Sequence, residues 1–400
     1  MRVLVTAFVP SHFMQMVPTL WALRAADHQV VVAGMPDIVE VARTAGLATA
    51  VIGKGAGGFT ANVKPGRLGA VKTPEPPRTK GTPTARELAE HRPWETMAGF
   101  WRGLVEGSIA EYVEFGRAWQ PDLVLCELDF NGLITAGLLG VPSVLHRWGM
   151  DLLSPMIQEH ARTALADTCA RLGLTGGFPL PDLVVDPCPP RLQFGGLPEA
   201  VPVRYTPYNG VGSMPDWALK GTDRRRVFVS LGMLGSRSLL EAERRALIGA
   251  IALGAAENSD VEFVLPFGTG TRDGLGPLPS SVRLVDPAPL NLFLDTCDLV
   301  VHHGGAGTAL TACALGVPQL VLPQPHPAHV GCAERLVEHG LGATLAPETL
   351  TGEPPALGRA IAGMLGEPSY RKNSEAMAAE MAELPSAHEL VARLAELAAR

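Results

Sequence analysis

The sequence predicts an α/β fold with two Rossmann-like domains that face each other across a cleft. Two segments, one in each half, share one layout: an Asp-aliphatic strand, a small-residue helix, and Gly-Val-Pro before another strand. The step from the aspartate to the Gly-Val-Pro is 18 residues in both, from Asp122 to Gly140 and from Asp298 to Gly316. Alternating strand and helix is the βαβ pattern of a parallel sheet. Because a chain of 400 residues favours two or three domains, we expect one such sheet in each half.

Composition excludes several classes of function. The net charge is −7 and no Lys/Arg-rich run lies beside aromatic residues, so no nucleic-acid surface is expected. No apolar run reaches the length of about 18 residues that a membrane span requires. The apolar N-terminus, Arg2–Val9, is short and lacks a cleavage site, which favours a buried strand over a signal peptide. The six cysteines are scattered without metal-binding spacing, and these features together indicate a cytoplasmic protein.

The elements of the first half follow from its hydrophobic pattern and its helix breakers. Proline is tolerated in a helix only near the start, so Pro18 favours a first helix that begins close to Met14. Gly46 is typical of a helix end. Around the first repeated unit we predict strands at Arg2–Phe8 and Gln29–Ala33, and helices at Met14–Ala26, Asp37–Ala45, Glu87–Trp119 and Ser154–Leu172.

The segment Lys54–Pro83 differs from its surroundings. It is rich in glycine and proline, and its charged residues are basic apart from Glu75. A long loop in a compact domain is either a solvated insertion or a lid over a pocket. The composition leaves both interpretations open.

Proline-rich sequence in the middle of the chain predicts the domain boundary. We assign residues 1–205 to the first domain, 206–222 to a linker and 223–375 to the second domain. Pro385 interrupts the last helical stretch, so we expect residues 376–400 to supply a separate helix that packs back on the first domain. Around the second repeated unit we predict strands at Arg226–Ser230, Val261–Pro266 and Val282–Val285, and a helix at Glu241–Gly254.

The turn that follows the strand at Val300–Val301 is the clearest binding motif. His302-His303-Gly304-Gly305-Ala306-Gly307-Thr308 leads from that strand into an apolar helix. Glycines let backbone N–H groups approach a ligand, and a helix start offers unpaired N–H groups with a partial positive charge. The sequence therefore predicts a phosphate or diphosphate site here, with His303 as an additional donor. His302 should point to the opposite face of the strand, towards the core.

Two residues of the first half have the chemistry of a catalytic pair. His12 follows the first strand in a predicted loop, and Glu127 ends the strand that is equivalent to the one before His303. Ligands bind at this end of open α/β sheets. An imidazole suits a general base, and a carboxylate behind it would stabilise the imidazolium. A surface role for His12, and Asp129 in place of Glu127, remain alternatives.

On these residues the chain resembles nucleotide-sugar-dependent glycosyltransferases of the two-Rossmann, or GT-B, kind. It resembles in particular the bacterial enzymes that transfer dTDP-activated deoxysugars to polyketide and macrolide natural products. The motifs that carry the resemblance are Val301–Thr308 with Gly316–Gln319 and Leu322-Pro323, Ser11-His12 with the helix after it, Pro121–Val124, Tyr205–Gly210, and Ser230-Leu231-Gly232.

The resemblance implies roles for individual residues. His12 would be the base of an inverting transfer, Glu127 its acidic partner, and no metal or other cofactor would be needed. The residues implied to bind the diphosphate are His303, Gly304, Gly305, Gly307 and Thr308. Those implied to bind the nucleoside or the sugar are Ser230, Gly232, Ser236, Val285 and Gln324. Those implied to bind the acceptor are Phe13, Trp148 and Met150.

Two departures from the family pattern concern the sugar and the catalytic pair. Many relatives carry an acidic residue and an amide after Leu-Pro, whereas Gln324–His329 contains no carboxylate. Because a deoxysugar has fewer hydroxyls to bind, this loss fits a deoxysugar better than glucose. Glu127 stands where most relatives have aspartate.

The resulting hypothesis is a transferase that moves a deoxysugar from a dTDP-sugar to an apolar polyketide-type acceptor. Linkage to oxygen is the default, and linkage to an aromatic carbon is an alternative. The competing hypotheses are a UDP-sugar epimerase of the same fold and a catalytically silent protein that binds nucleotide sugars. Homodimerisation and dependence on an activator protein are left open.

Overall fold

The computed structural model describes residues 1–53, 83–230, 241–257, 260–266 and 278–400. The predicted loop Lys54–Pro83 lies almost entirely outside these residues. The chain divides into two compact units. The first takes in most of the first 210 residues together with Leu384–Arg400, and the second takes in Val211–Glu383 and Thr84–Leu88.

The first unit is built on a seven-stranded parallel sheet of order β3-β2-β1-β4-β5-β6-β7. The strands are β1 (Arg2–Ala7), β2 (Gln29–Gly34), β3 (Ala48–Val51), β4 (Leu123–Glu127), β5 (Ser143–His146), β6 (Leu183–Asp186) and β7 (Val201–Pro202). The helices of the first half are α1 (Pro10–Ala25), α2 (Pro36–Thr44), α3 (Ala85–Glu90), α4 (Trp94–Trp119), α5 (Phe130–Leu139), α6 (Ser154–Ala164) and α7 (Ala166–Leu172).

The second unit repeats the plan with a six-stranded parallel sheet of order β10-β9-β8-β11-β12-β13. Its strands are β8 (Arg225–Ser230), β9 (Val261–Leu265), β10 (Val282–Leu284), β11 (Leu299–His302), β12 (Gln319–Val321) and β13 (Gly342–Thr344). The helices are α8 (Asp216–Leu219), α9 (Glu241–Glu257), α10 (Ala306–Ala314), α11 (Pro327–Glu338), α12 (Thr349–Gly352), α13 (Pro355–Gly366), α14 (Pro368–Ala382) and, in the first unit, α15 (Ala387–Ala398).

The two repeated units of the sequence occupy equivalent places. β4-α5-β5 lies beside β1 in one sheet, and β11-α10-β12 lies beside β8 in the other. In each sheet the strand order reverses at these pairs, which is where open α/β sheets bind ligands. The prediction of two parallel α/β domains is therefore confirmed.

Helix α1 begins earlier than the sequence predicts. It starts at Pro10, so His12 lies in its first helical turn and not in a loop, and Pro18 lies in its interior. Pro18 cannot donate a backbone hydrogen bond, and an interior proline costs about 3 kcal/mol. Phe13, Met16 and Leu20 are fully buried on the same helix, and burial of each contributes about 1.5–3 kcal/mol. Packing therefore outweighs the cost of the proline.

The last helix, α15, packs in the core of the first unit. Leu390, Val391 and Leu394 join the cluster that contains the buried residues of β1 and α1. Ser386 and Glu389 form a reciprocal capping box that fixes where α15 begins. The preceding helix, α14, extends to Ala382 within the second unit, so the chain changes units later than residue 376. In the described part of the chain, no helix has the length and apolar character needed to cross a membrane.

Candidate functional site

His12 and Glu127 meet at the point where the strand order of the first sheet reverses. Glu127 ends β4, lies beside Ala7 of β1 and is fully buried. His12 Nδ1 lies 2.7 Å from Glu127 Oε1, and the N–H of Phe8 donates to Oε2 over 3.4 Å. Since a carboxylate only accepts hydrogen bonds, this contact places the proton on Nδ1 and leaves Nε2 as the basic ring atom.

The structure distinguishes Glu127 from Asp129, the other candidate for the acidic partner of His12, because the backbone turns sharply between them. Leu128 between them has a φ of +35°, a strained value for a residue with a side chain. Asp129 instead caps α5 by accepting from the N–H of Asn131 over 3.2 Å. Burial raises the pKa of Asp129 to about 6. The carboxylate that contacts His12 is therefore that of Glu127.

Close packing of α5 against the sheet depends on Gly132. A Cβ at this position would lie 2.2 Å from Thr6 Oγ1 and 2.9 Å from Cys126 Cβ. Thr6 belongs to β1, the strand before the helix that carries His12, and Cys126 belongs to β4, which ends at Glu127. Only glycine lets the helix lie this close to both strands.

The three predicted acceptor residues are all buried. Phe13 packs fully within the core of the first unit, so its side chain has no surface for an acceptor to contact. Met150 is 3% exposed and Trp148 is 5% exposed. The Trp148 indole lies flat against the His12 imidazole, with ring centroids 5.0 Å apart and planes at 4°. These positions do not support the predicted contact for Phe13 and place Trp148 against the candidate base.

A mainly apolar cavity lies in the same unit. Its volume is about 80 Å³. Phe8 and Leu128, which adjoin the catalytic candidates, line it together with Asp129. Gly103 and Gly107 of α4 also line it, and a Cβ added at either glycine would meet nothing within 4 Å. The two glycines lie one turn apart, so they enlarge one side of the cavity.

The predicted diphosphate turn leads from β11 into α10. Gly304 has a φ of +93°, and a Cβ there would lie 2.7 Å from the backbone oxygen of His329. A Cβ at Gly305 would lie 2.6 Å from Nε2 of His303. Gly304 is therefore required by its positive φ and by the close approach of the His329 backbone. A side chain at Gly305 would instead displace the ring of His303.

Two helix starts and a histidine cluster surround this turn. Gly305 is the N-cap of α10, and His326 caps the N-terminus of α11 by accepting from the N–H of Ala328. His329 lies 5.0 Å from His303 and 5.2 Å from His326 between ring centroids. Helix starts favour anions. Burial lowers the pKa of His303 to about 4, so its ring is neutral at pH 7.

The remaining donor-site predictions fall into three groups. Ser230 ends β8 beside His302 and is buried, and Thr308 is buried in the first turn of α10. Val285 lies directly after β10, and Gln324 follows β12 in the loop before α11. Gly232 and Ser236 lie outside the described residues. His302 is buried as expected, and burial lowers its pKa to about 3.

Comparison with known proteins identifies the family. A model described as erythromycin biosynthesis protein CIII-like, N-terminal domain, matches residues 21–232, and the corresponding C-terminal model matches residues 250–397. The chain belongs to the erythromycin biosynthesis protein CIII-like family of glycosyltransferases. The aclacinomycin-T 2-deoxy-L-fucose transferase of Streptomyces galilaeus is 33% identical over 100% of this chain and 96% of its own length. The TDP-daunosamine transferase DnrS of Streptomyces peucetius is 34% identical over 100% and 97%.

Solved structures of this family have the same fold. Spinosyn rhamnosyltransferase SpnG is 34% identical, with a TM-score of 0.82 over 99% of this chain and 100% of its own. The same enzyme complexed with thymidine diphosphate has a TM-score of 0.80. The predicted GT-B fold and the resemblance to natural-product glycosyltransferases are confirmed.

Proposed function

We propose that this member of the family is an inverting transferase that moves a deoxysugar from a TDP-sugar to a hydroxyl of an apolar polyketide-type acceptor. The observation that carries the proposal is the His12–Glu127 hydrogen bond of 2.7 Å at the switch point of the first sheet. Relatives named for transfer of 2-deoxy-L-fucose and daunosamine support the donor class. The lack of a carboxylate in residues 324–329 also favours a sugar with few hydroxyls.

The proposed reaction is a single displacement. His12 Nε2 accepts the proton of the acceptor hydroxyl while its oxygen bonds to the anomeric carbon. The bond from that carbon to the diphosphate oxygen breaks, and configuration inverts. Glu127, which contacts Nδ1, stabilises the imidazolium that forms. The amides at the start of α10 and the ring of His303 offset the charge of the leaving diphosphate, and we propose no metal ion in this role.

The cavity of the first unit is the proposed acceptor pocket. Its lining is mainly apolar, as in small-molecule sites, and its volume of about 80 Å³ must increase when an aglycone enters. Gly103 and Gly107 leave one wall without side chains, and we propose that a polycyclic or macrocyclic acceptor enters on that side. Attack by an aromatic carbon in place of a hydroxyl would use the same base.

If the cavity binds the acceptor, a larger side chain at Gly103 should weaken acceptor binding. In Gly103→Leu we expect the acceptor KM to rise about tenfold, because the added side chain occupies the cavity. The Kd of TDP should not change. Gly99→Leu is the matched control, since Gly99 lies one turn earlier on α4 and does not line the cavity. Steady-state kinetics with TDP calorimetry measure both effects. An equal rise of KM in the two variants would contradict the proposed pocket.

The donor site predicts coupling of binding to protonation. His303→Asn should weaken TDP binding by about 1–3 kcal/mol, through loss of a hydrogen bond to a charged group. Since the pKa of His303 is about 4 in the free protein, a bound diphosphate raises it, and the wild type takes up protons on binding in the pH range just above 4. Calorimetry in buffers of different ionisation enthalpy measures this uptake. The uptake due to His303 should be missing in the variant, even though His326 and His329 remain. Unchanged affinity and uptake would contradict the assigned role.

The test of the function as a whole is a turnover assay with TDP-deoxysugars and a panel of polyketide aglycones. Glycoside formation that depends on both substrates supports the proposal. Conversion of the nucleotide sugar without acceptor would indicate an epimerase, and binding without turnover would indicate a silent partner. Thermal shift with nucleoside diphosphates would find the preferred base, since a ligand of the folded state raises the melting temperature.

A further inference from the structure

A buried polar network lies behind the turn that carries Trp148. The Arg147 guanidinium donates to Asp186 Oδ2 over 2.8 Å and to the carbonyl of Pro198 over 2.8 Å, and its Nε lies 3.6 Å from Asp151 Oδ2. Arg147, Asp151 and Asp186 are each at most 5% exposed. The ionic contact between Arg147 and Asp151 joins the two ends of the turn, and Asp186 ties the turn to the end of β6.

Gln193 joins this network to the backbone of the turn. Its Nε2 donates to the carbonyl of Gly149 over 3.0 Å and to Asp186 Oδ2 over 2.9 Å. Its Oε1 accepts from the N–H of Asp151 over 2.7 Å and from that of Phe194 over 3.0 Å. All four hydrogen bonds that a glutamine amide can form are thus made. Two of them hold the peptide groups on either side of Met150.

The network that holds the turn also affects the imidazole of His12, because Trp148 lies in this turn and stacks on that ring. The residue after Trp148 is held by Gln193 and the residue before it by Asp186, so the backbone that carries the indole is fixed on both sides. The indole lies parallel to the His12 ring at 4° and covers one of its faces. The hydrogen bond to Glu127 is a single contact at Nδ1, and correlated changes of the two side-chain torsions of His12 can tilt the ring while this contact is kept. Stacking on a fixed indole limits this tilt.

We propose that Gln193 is a positioning residue of the active site, which holds Trp148 flat against His12 and thereby fixes the plane of the imidazole. The inference rests on the proposed role of His12 as the base. A fixed plane keeps the Nε2 lone pair aimed at one point, and small misplacements of reacting groups lower catalytic rates strongly. Gln193 is far from His12 in sequence and makes no contact with it in the hydrogen bonds of its amide.

Gln193→Met tests the proposal because it keeps the length of the side chain and removes its hydrogen bonds. We expect kcat to fall about tenfold while the KM for the TDP-sugar stays within about twofold. Trp148→Leu should lower kcat at least as much, and Trp148→Phe, which restores an aromatic face, should return it to within about threefold of the wild type. Asp182→Asn is the control, since Asp182 accepts from Ser143 at the opposite end of β5 and should leave kcat unchanged.

A spectroscopic measurement follows the ring itself. In protein with ¹³C-labelled histidine, the His12 resonance is assigned by its loss in His12→Asn, and the stacked indole should shift it upfield. The shift should disappear in Trp148→Leu, decrease in Gln193→Met and remain in Asp182→Asn. If Gln193→Met folds poorly, the two Trp148 variants test the stacking without it.

The outcomes separate this inference from the proposed function. An unchanged shift in Gln193→Met would overturn the inference, whether or not kcat falls. Failure of Trp148→Phe to recover kcat relative to Trp148→Leu would also overturn it. A lost shift with unchanged kcat would overturn the positioning role, because the plane of the ring would then not limit catalysis, and His12→Ala would still decide separately whether His12 is the base.

Discussion

Replacing His12 with alanine should lower kcat by about 100-fold or more, the scale expected for loss of a general base. The reason is that Nε2 is the ring atom left to take a proton once Glu127 holds Nδ1. The Kd of TDP should stay at the wild-type value, because the proposed diphosphate contacts lie in the second unit. Single-turnover kinetics with saturating donor and acceptor, together with TDP calorimetry, measure the two quantities separately.

His160 provides a matched control for this variant. Its ring also lies flat on a tryptophan of the first unit, with centroids 5.0 Å from Trp94 and planes at 6°. It belongs to α6 and has no part in the proposed reaction. His160→Ala should therefore keep kcat within about twofold of the wild type. A fall of less than about tenfold in His12→Ala, with TDP binding intact, would rule out His12 as the base.

Glu127→Gln separates orientation of the ring from stabilisation of its charge. The amide oxygen can still accept from Nδ1, but it carries no charge to stabilise the imidazolium. We expect kcat between those of the wild type and His12→Ala. The size of this fall measures what the carboxylate contributes beyond holding the ring.

The sequence predicted the features that depend on short-range pattern. Buried parallel strands are apolar runs, so β4 and β11 were found within one or two residues of their observed bounds. Gly304 was identified because a glycine between a strand and a helix indicates a close approach or a positive φ. The equal spacing from Asp122 and Asp298 to the next Gly-Val-Pro corresponds to equivalent units in the two sheets, one beside β1 and the other beside β8. Local rules were sufficient for each of these features.

The features that the sequence did not predict depend on packing between distant segments. Pro18 was expected near a helix start, but tertiary packing extended α1 to Pro10 and brought His12 into the helix. Phe13, for which the resemblance implies an acceptor contact, packs in the core of the first unit, and its burial likewise depends on how α1 packs on the sheet. The stacking of Trp148 on His12 joins two segments with no shared motif, so no local pattern indicated it. Gly103 and Gly107 did carry a signal, since glycines at helical spacing within a helix indicate a close approach or a cavity.

Gly304→Ala should have a large effect on donor binding. The added Cβ would lie 2.7 Å from the backbone oxygen of His329 in a residue whose φ is +93°. Because the obstacle is backbone, the turn itself must shift, and the start of α10 and the ring of His303 shift with it. We expect the Kd of TDP to rise about 10- to 100-fold, equivalent to the loss of about one charge-assisted hydrogen bond. Calorimetry with TDP measures the change.

A control variant must show that backbone strain at a glycine of positive φ does not by itself weaken TDP binding. Gly316 lies just past the C-terminal end of α10 and has a φ of +67°, but a Cβ there would meet its nearest neighbour only at 3.4 Å. Gly316→Ala should therefore lower the melting temperature through backbone strain and leave the Kd of TDP unchanged. TDP should also raise the melting temperature of Gly316→Ala as it does for the wild type, and much less for Gly304→Ala. If Gly304→Ala binds TDP with wild-type affinity while folded, the diphosphate does not bind at this turn, and both the role of His303 and the path of the leaving group must be abandoned.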